Sequence, residues 1–341
     1  MKAIVHMKYG LPDVLQLTDV ETPVPLDDEV LVEVHAASVN ALDWHMLTAD
    51  VFLIRLMGKG LIKPSKTTLG ADISGRVVAV GKEVRRFQPG DPVFGTAKSG
   101  SGGFAEYVCA REETLQLKPS SISFEEAAAV PLAALKALQG LRDKGQIAPG
   151  KKVLIHGASG GVGTFAVQIA RSFGAEVTAV CSSRNLEIAR SIGADHVIDY
   201  TLDDFTRSGE LYDLIFVANG DRSIHEYKRS LKPEGICVLA GGGNISMVSL
   251  LAGVLLQLWV SKIEGRKIGS FMAHINQEDL TCVKELLESG KIKPVIDRRC
   301  PLSETAEALR YLGDGHAKGK VVITVRHESE ADHSGDDSRH Q

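Results

Sequence analysis

Residues 153–170 constrain this chain more than any other stretch. A β-branched apolar run, Val153-Leu154-Ile155-His156, meets a turn of small residues, Gly157-Ala158-Ser159-Gly160-Gly161-Val162-Gly163, and apolar residues at helical spacing follow from Thr164. That order sets a helix N-terminus directly after a strand. Small residues let a ligand approach the backbone, the turn's N–H groups point at it, and the helix dipole favours negative charge. The stretch therefore reads as a pyrophosphate cradle. Its match to G-x-G-x-x-G is imperfect, because Ala158 precedes Gly160 and Gly163 where a glycine would stand. A plain tight turn is the alternative reading.

The following strand, Glu176–Cys181, bears on which dinucleotide is held. An NAD site carries Asp or Glu near the end of this strand, about 20 residues past the glycines, for the ribose 2′-OH. Here Cys181, Ser182, Ser183 and Arg184 stand there instead. Two hydroxyls can donate to a 2′-phosphate, a guanidinium can pair with it, and no carboxylate is available to repel it. The pattern predicts NADPH. Ser183 as a helix N-cap beside a solvated Arg184 is the other reading, and the two are compatible.

The 341 residues suffice for two domains, and 44% hydrophobic residues supply a substantial core. A net charge of −4 argues against a nucleic-acid surface. Cys109, Cys181, Cys237, Cys282 and Cys300 are scattered, without a C-x-x-C pair. That usage fits a reducing compartment, and Met1–His6 reads as a strand rather than a signal peptide, so a cytoplasmic protein is expected. The uncharged run Ile245–Ser261 is short of a membrane span and contains Ser246, Ser249 and Gln257. It reads as a buried helix at a pocket or subunit interface, with peripheral membrane contact as the alternative.

Two folding patterns divide the chain. Before about Ser123, alternating segments such as Val30–Ala36 and Ile73–Gly81, punctuated by Pro89-Gly90-Asp91-Pro92 and Gly100-Ser101-Gly102-Gly103, predict a small, mostly β, barrel-like domain. From Ser123 helices and strands alternate. Helices are predicted over Glu125–Val130, Leu132–Leu141, Thr164–Phe173 and Leu186–Ile192. Strands are predicted at Val153–His156, Val177–Val180, Val197-Ile198, Leu214–Ala218 and Ile236–Ala240. That alternation implies a parallel sheet with helices on both faces, and ligands bind past its carboxyl strand ends, here including Ala218-Asn219 and Ala240-Gly241. Helices at Glu278–Glu288 and Ser303–Tyr311 and a strand at Lys320–Val325 follow. The expected boundaries are 1–124 with 292–327 for the first domain, 125–291 for the second, and a disordered tail over 328–341.

The order of motifs resembles the medium-chain dehydrogenase/reductase superfamily over nearly the whole chain. The matching pieces are Gly70-Ala71-Asp72-Ile73-Ser74-Gly75, Gly90-Asp91-Pro92-Val93-Phe94-Gly95, Gly102-Gly103-Phe104-Ala105-Glu106-Tyr107, Ala128-Ala129-Val130-Pro131-Leu132, Ser159–Gly163, Gly193–Tyr200 and Gly319-Lys320-Val321-Val322. The closest likeness is to its zinc-free quinone oxidoreductase and enone reductase branch. The resemblance implies an α/β protein: a GroES-like β-barrel domain plus a Rossmann domain with a doubly wound parallel sheet. It also implies a homodimer.

In that register Ala71 replaces a zinc-ligand histidine, the earlier ligand cysteine is missing from Ala37–Asp43, and no cysteine lies between Asp91 and Glu106. Zinc favours thiolate and imidazole ligands, so no metal is expected. His35 and His45 lack ligand spacing and read as surface or core residues. Without a metal, the acceptor must already be electrophilic, and the protein must align it and stabilise the developing oxyanion. The expected function is NADPH-dependent hydride transfer to a quinone or an α,β-unsaturated carbonyl.

Asn40 and Asp43 match cleft positions of related sequences. Asn40 is the candidate catalytic donor to the acceptor oxygen or nicotinamide. Asp43 is a candidate substrate contact that can equally hold a ribose or a loop. Both can instead be turn residues. Ser159, Gly160, Gly161, Val162, Gly163, Ser182, Ser183, Arg184, Asn219 and Gly241 are candidate cofactor contacts. The resemblance adds Tyr200 near the adenosine phosphate and Lys320 near the nicotinamide, with a core aromatic and a solvated strand-edge lysine as the alternatives. Lys136 departs from the resemblance, standing where a threonine is common beside the cofactor. It can reach a phosphate or obstruct the nicotinamide. Two other functions remain open. One is an enoyl-thioester reductase, with Arg55, Lys59, Lys63 and Lys66 as a basic lane. The other is an NADPH-binding scaffold with little turnover.

Overall fold

The computed structural model describes residues 1–49, 63–65, 67–241, 267–315 and 317–326. Arg55, Lys59, Lys66, the run Ile245–Ser261 and the segment 328–341 lie outside the described residues.

The chain opens with an antiparallel pair, β1 (Lys2–Val5) and β2 (Gln16–Asp19). The long strand β3 (Glu29–Val39) follows, then helix α1 (Ala41–Thr48). β4 (Asp72–Val80), β5 (Pro92–Thr96), β6 (Tyr107–Arg111) and β7 (Leu115–Leu117) build outward from β3 by antiparallel pairing. β3 is buried along nearly its whole length, which explains its weak alternation.

Two helices, α2 (Phe124–Ala128) and α3 (Pro131–Gln139), lead into the second sheet. Its strands are β8 (Lys152–His156), β9 (Glu176–Cys181), β10 (His196–Asp199), β11 (Tyr212–Val217), β12 (Leu231–Leu239) and β13 (Lys267–Ser270). All pair in parallel in the order β10-β9-β8-β11-β12-β13. Helices α4 (Gly161–Ser172), α5 (Leu186–Ser191) and α6 (Ile224–Arg229) lie in the connections. The strands are apolar on both faces because both faces are covered. Val153 and Ile155 of β8 join Leu135, Leu138 and Phe165 on one side, and Leu154 joins Phe205, Ile215 and Tyr227 on the other. Each such side chain contributes roughly 1.5–3 kcal/mol on burial.

After α7 (Gln277–Glu288), β14 (Ile296–Pro301), α8 (Thr305–Gly313) and β15 (Lys320–Thr324) return to the first sheet. β15 runs antiparallel to β3 and parallel to β14, completing the order β14-β15-β3-β4-β5-β7. The GroES-like and Rossmann layers expected from the motifs are both present.

The helix expected to run to Leu141 ends at Gln139, and a wider turn continues it over Gly140–Lys144. Strand order in the parallel sheet reverses between β8 and β11, so a crevice opens past their carboxyl ends. The two layers meet beside it. The Gln168 side chain bonds both the N–H and the carbonyl of Lys293 at 2.8 and 2.9 Å, and Glu125 takes Arg299 at 2.6 Å and Thr324 at 2.7 Å.

Candidate active site

The glycine turn lies at the carboxyl end of β8. Gly157 has φ +79°, and a Cβ there would stand 2.5 Å from the Asn219 carbonyl, so the turn and the end of β11 touch backbone to backbone. A Cβ on Gly163 would fall 2.0 Å from the Gly157 carbonyl. Only a bare backbone lets α4 start this close to the strand. Gly160 is the N-cap of α4, and Thr164 N–H closes the first helical bond onto its carbonyl at 2.9 Å. The N–H groups of Gly161, Val162 and Gly163 are therefore first-turn donors with no partner inside the helix. They suit an anion, and the cradle fits the pyrophosphate of a dinucleotide.

At the adenosine side, past β9, Ser183 caps no helix: Ser182 is the N-cap of a short 3-10 turn over Ser183–Asn185, and Asn185 is the N-cap of α5, neither with a side-chain capping bond. The expectation of a site without a carboxylate needs correction. Asp199, at the end of β10, accepts from the Ser183 hydroxyl and from the Thr201 N–H (2.9 Å) and hydroxyl (2.6 Å). These bonds, led by that of Ser183, hold its carboxyl below the usual range. The acid belongs to the neighbouring strand, which the spacing of one strand does not reveal. Ser183 is thus already engaged. Arg184 is exposed and makes no ion pair among the described residues. Asn185 ties Ser159 (3.0 Å) to Ser182 (3.2 Å), joining the glycine turn to this loop. Tyr200 is 49% exposed, which removes the core-aromatic alternative. Asn219 is exposed and Gly241 half-buried at the ends of β11 and β12.

At the opposite side the first sheet contributes a buried polar cluster. Lys320 opens β15, is 3% exposed and is no strand-edge lysine, since β15 lies between β14 and β3. Its Nζ donates to Asn40 Oδ1 at 2.6 Å and stands 3.4 Å from Asp72 Oδ2. Burial lowers its pKa despite the nearby Asp72 and Asp43 carboxylates. Asp72, fully buried at the head of β4, also accepts from Ser38 Oγ (3.0 Å), Asn40 Nδ2 (3.0 Å) and the Leu132 N–H (3.0 Å). One carboxylate thereby joins β3, β15 and the first turn of α3.

Two expectations change here. Asn40 Nδ2 spends its hydrogens on Asp72 and the Ser38 carbonyl (3.3 Å), so Asn40 has no amide hydrogen left for an acceptor oxygen. Asp43 is 2% exposed and accepts from Asn40 N–H (2.8 Å) and Gly70 N–H (2.9 Å). It braces a loop instead of meeting a substrate. Burial pushes its carboxyl up to about 7, against those two donors.

Asp72 was not singled out as a site residue. The available signal was a carboxylate opening an apolar strand, since a buried acid must find partners.

The cluster and the glycine turn meet. A Cβ on Gly161 would lie 2.9 Å from Lys320 Cδ, so the lysine stem rests against the start of α4. A zinc ion does not fit this corner. Its candidate donors are oxygens already taken by N–H groups, Ala71 offers none, and an ammonium stands among them. His35 is buried with its ring 4.2 Å from Phe124, and His45 is half-buried on α1.

Comparison with known proteins gives matches along the whole fold. Residues 26–120 match the model of the alcohol dehydrogenase GroES-like domain, and 192–323 match that of a zinc-binding dehydrogenase. A chloroplastic quinone-oxidoreductase of Triphysaria versicolor is 34% identical, covering 95% of this chain and 98% of its own. An NADPH-dependent alkenal/one oxidoreductase of Arabidopsis thaliana is also 34% identical, over 95% of this chain and 79% of its own. The solved quinone oxidoreductase of Coxiella burnetii superposes with a TM-score of 0.84 at 33% identity, covering 96% of this chain and 99% of that one.

Proposed function

The chain belongs to the medium-chain dehydrogenase/reductase superfamily, in its quinone oxidoreductase branch, and from that premise we propose that it is an NADPH-dependent, zinc-independent reductase of quinones or α,β-unsaturated carbonyls. The observation that carries the reading is the contact of the buried Lys320 cluster with the pyrophosphate cradle at Gly161. NADPH, when bound, supplies the hydride. Gly161, Val162 and Gly163 offer backbone donors to its pyrophosphate, and Arg184 and Tyr200 stand at the adenosine side.

Lys320 takes the role expected of Asn40. It has three N–H donors, of which Asn40 and Asp72 account for two. The third is available to the oxygen of an acceptor or of the nicotinamide ribose. Asn40, Asp72 and Asp43 act as positioning residues: Asn40 and Asp72 hold the ammonium, and Asp43 holds the Asn40 backbone. A preset cation in a water-poor corner stabilises negative charge on an acceptor oxygen without reorganising.

The proposal includes a cytoplasmic location, supported by five free cysteines, four of them buried, and a homodimer, for which light scattering is the check. Steady-state oxidation of NADPH against a panel of quinones, short enones and an enoyl-CoA, with NADH as control, tests the function. Turnover of quinones or enones that favours NADPH is expected. Equal use of NADH refutes the cofactor preference, preference for the CoA ester makes the protein an enoyl-thioester reductase, and tight NADPH binding with no turnover makes it a scaffold.

A further inference from the structure

Helix α3 is buried at Pro131, Ala133, Ala134, Leu135, Ala137, Leu138 and Gln139, leaving Leu132 and Lys136 as its two half-buried positions. They are four residues apart and share one face. The ends of that face are fixed in space. Leu132 N–H bonds Asp72, at the Lys320 cluster. One turn beyond Lys136, a Cβ on Gly140 would meet Phe216 of β11 at 2.4 Å and Phe271, directly after β13, at 3.0 Å. Lys136 therefore stands between the cluster and the carboxyl ends of β11 and β13. The adenosine half of a dinucleotide lies past the second strand, here β9, so the β11–β13 side of the crevice is the nicotinamide half.

Lys136 makes no hydrogen bond, ion pair or ring contact among the described residues, and burial lowers its pKa. A half-buried ammonium without an anion is costly, which favours a ligand that brings one. We propose that Lys136 selects electron acceptors carrying a carboxylate beside the reducible double bond, and pairs with that carboxylate. The inference rests on the reductase reading for its substrate and on the placement of α3 for its residue.

The test compares β-acetylacrylate with its neutral counterpart ethylideneacetone in the native protein, Lys136→Met and Lys136→Thr. Intrinsic reactivity of the two enones cancels in the comparison between proteins. The kcat/KM ratio of the charged to the neutral enone is expected to fall by about 10- to 100-fold in both variants, the scale of one lost charged hydrogen bond. An unchanged ratio overturns the proposal. An equal fall for both enones overturns it too, because the ammonium then serves the oxyanion of any acceptor.

Binding of levulinate, a saturated carboxylate, to the NADPH complex is read by nucleotide fluorescence and needs no turnover. Levulinate binding lost in Lys136→Met supports the pairing even if neither enone is reduced, in which case the reductase reading alone fails. Equal levulinate binding by native protein and variant overturns the pairing. So does a large loss of NADPH affinity in Lys136→Met, which makes the cofactor the partner of the ammonium.

Discussion

The two sides of the cleft are built on opposite principles. Past β9 and β10, Ser183, Arg184 and Tyr200 are exposed and the bonds around Asp199 are local, from Ser183 and Thr201. Beside α3, Asp72, Asp43 and Lys320 are almost wholly buried, and their partners come from four distant parts of the chain. An exposed charge is screened and adjustable, whereas a buried one is strong only while every partner is in place. The exposed side can therefore grade one nucleotide against another. The buried side fixes geometry for chemistry and fails as a unit.

Asp72→Ala presses hardest on that contrast. It leaves Lys320 a buried ammonium with one carboxylate fewer and frees the Leu132 N–H and Ser38 hydroxyl together. Removing one partner of a buried pair costs about 3–5 kcal/mol, so a large drop in denaturation midpoint is expected, with loss of turnover in whatever still folds. Urea titration with parallel kinetics reads both. A loss below about 1 kcal/mol, the scale of an exposed pair, would remove the distinction between the two sides.

Asp43 sharpens the contrast through pH. Its carboxyl sits at about 7 in the folded protein against an ordinary 3.8, so folding takes up a proton between those values. The stability it contributes is present in full below pH 3.8 and is lost as pH rises through about 7. Melting temperature of the native protein should decline across that window relative to Asp43→Asn, and the two curves should run parallel at higher pH. Curves parallel throughout contradict a buried, proton-binding Asp43.

The smallest effect belongs to the exposed side. Arg184→Ala should lower the preference for NADPH over NADH by about 3- to 10-fold, less at high salt, with stability little changed. An effect that ignores salt would mean that Arg184 acts by packing.

What could be read from the sequence divides along the same line. The glycine turn was legible because its chemistry is contiguous: strand, small residues and helix follow one another from Val153 to Ala170. The alternation of the parallel sheet was legible for the same reason. The Asp72 cluster was not, since its donors stand at residues 38, 40, 132 and 320 and meet only when β15 returns to β3. Likewise, Asp199 meets Ser183 only because β10 pairs beside β9. Short elements also escaped notice. β13 has four residues, and β14 carries Asp297, Arg298 and Arg299 without clear alternation. α6 had a usable signal in the capping pair Ser223 and Glu226, whose side chains bond each other's N–H groups at 2.8 and 3.3 Å.

The most direct test of the central claim follows the hydride itself. NADPH deuterated at the transferable nicotinamide position is incubated with the protein and an enone, and the product is read by NMR. The account predicts one deuterium at the carbon β to the carbonyl. Product without deuterium there, or no product while NADPH binds tightly, would contradict a hydride-transferring reductase.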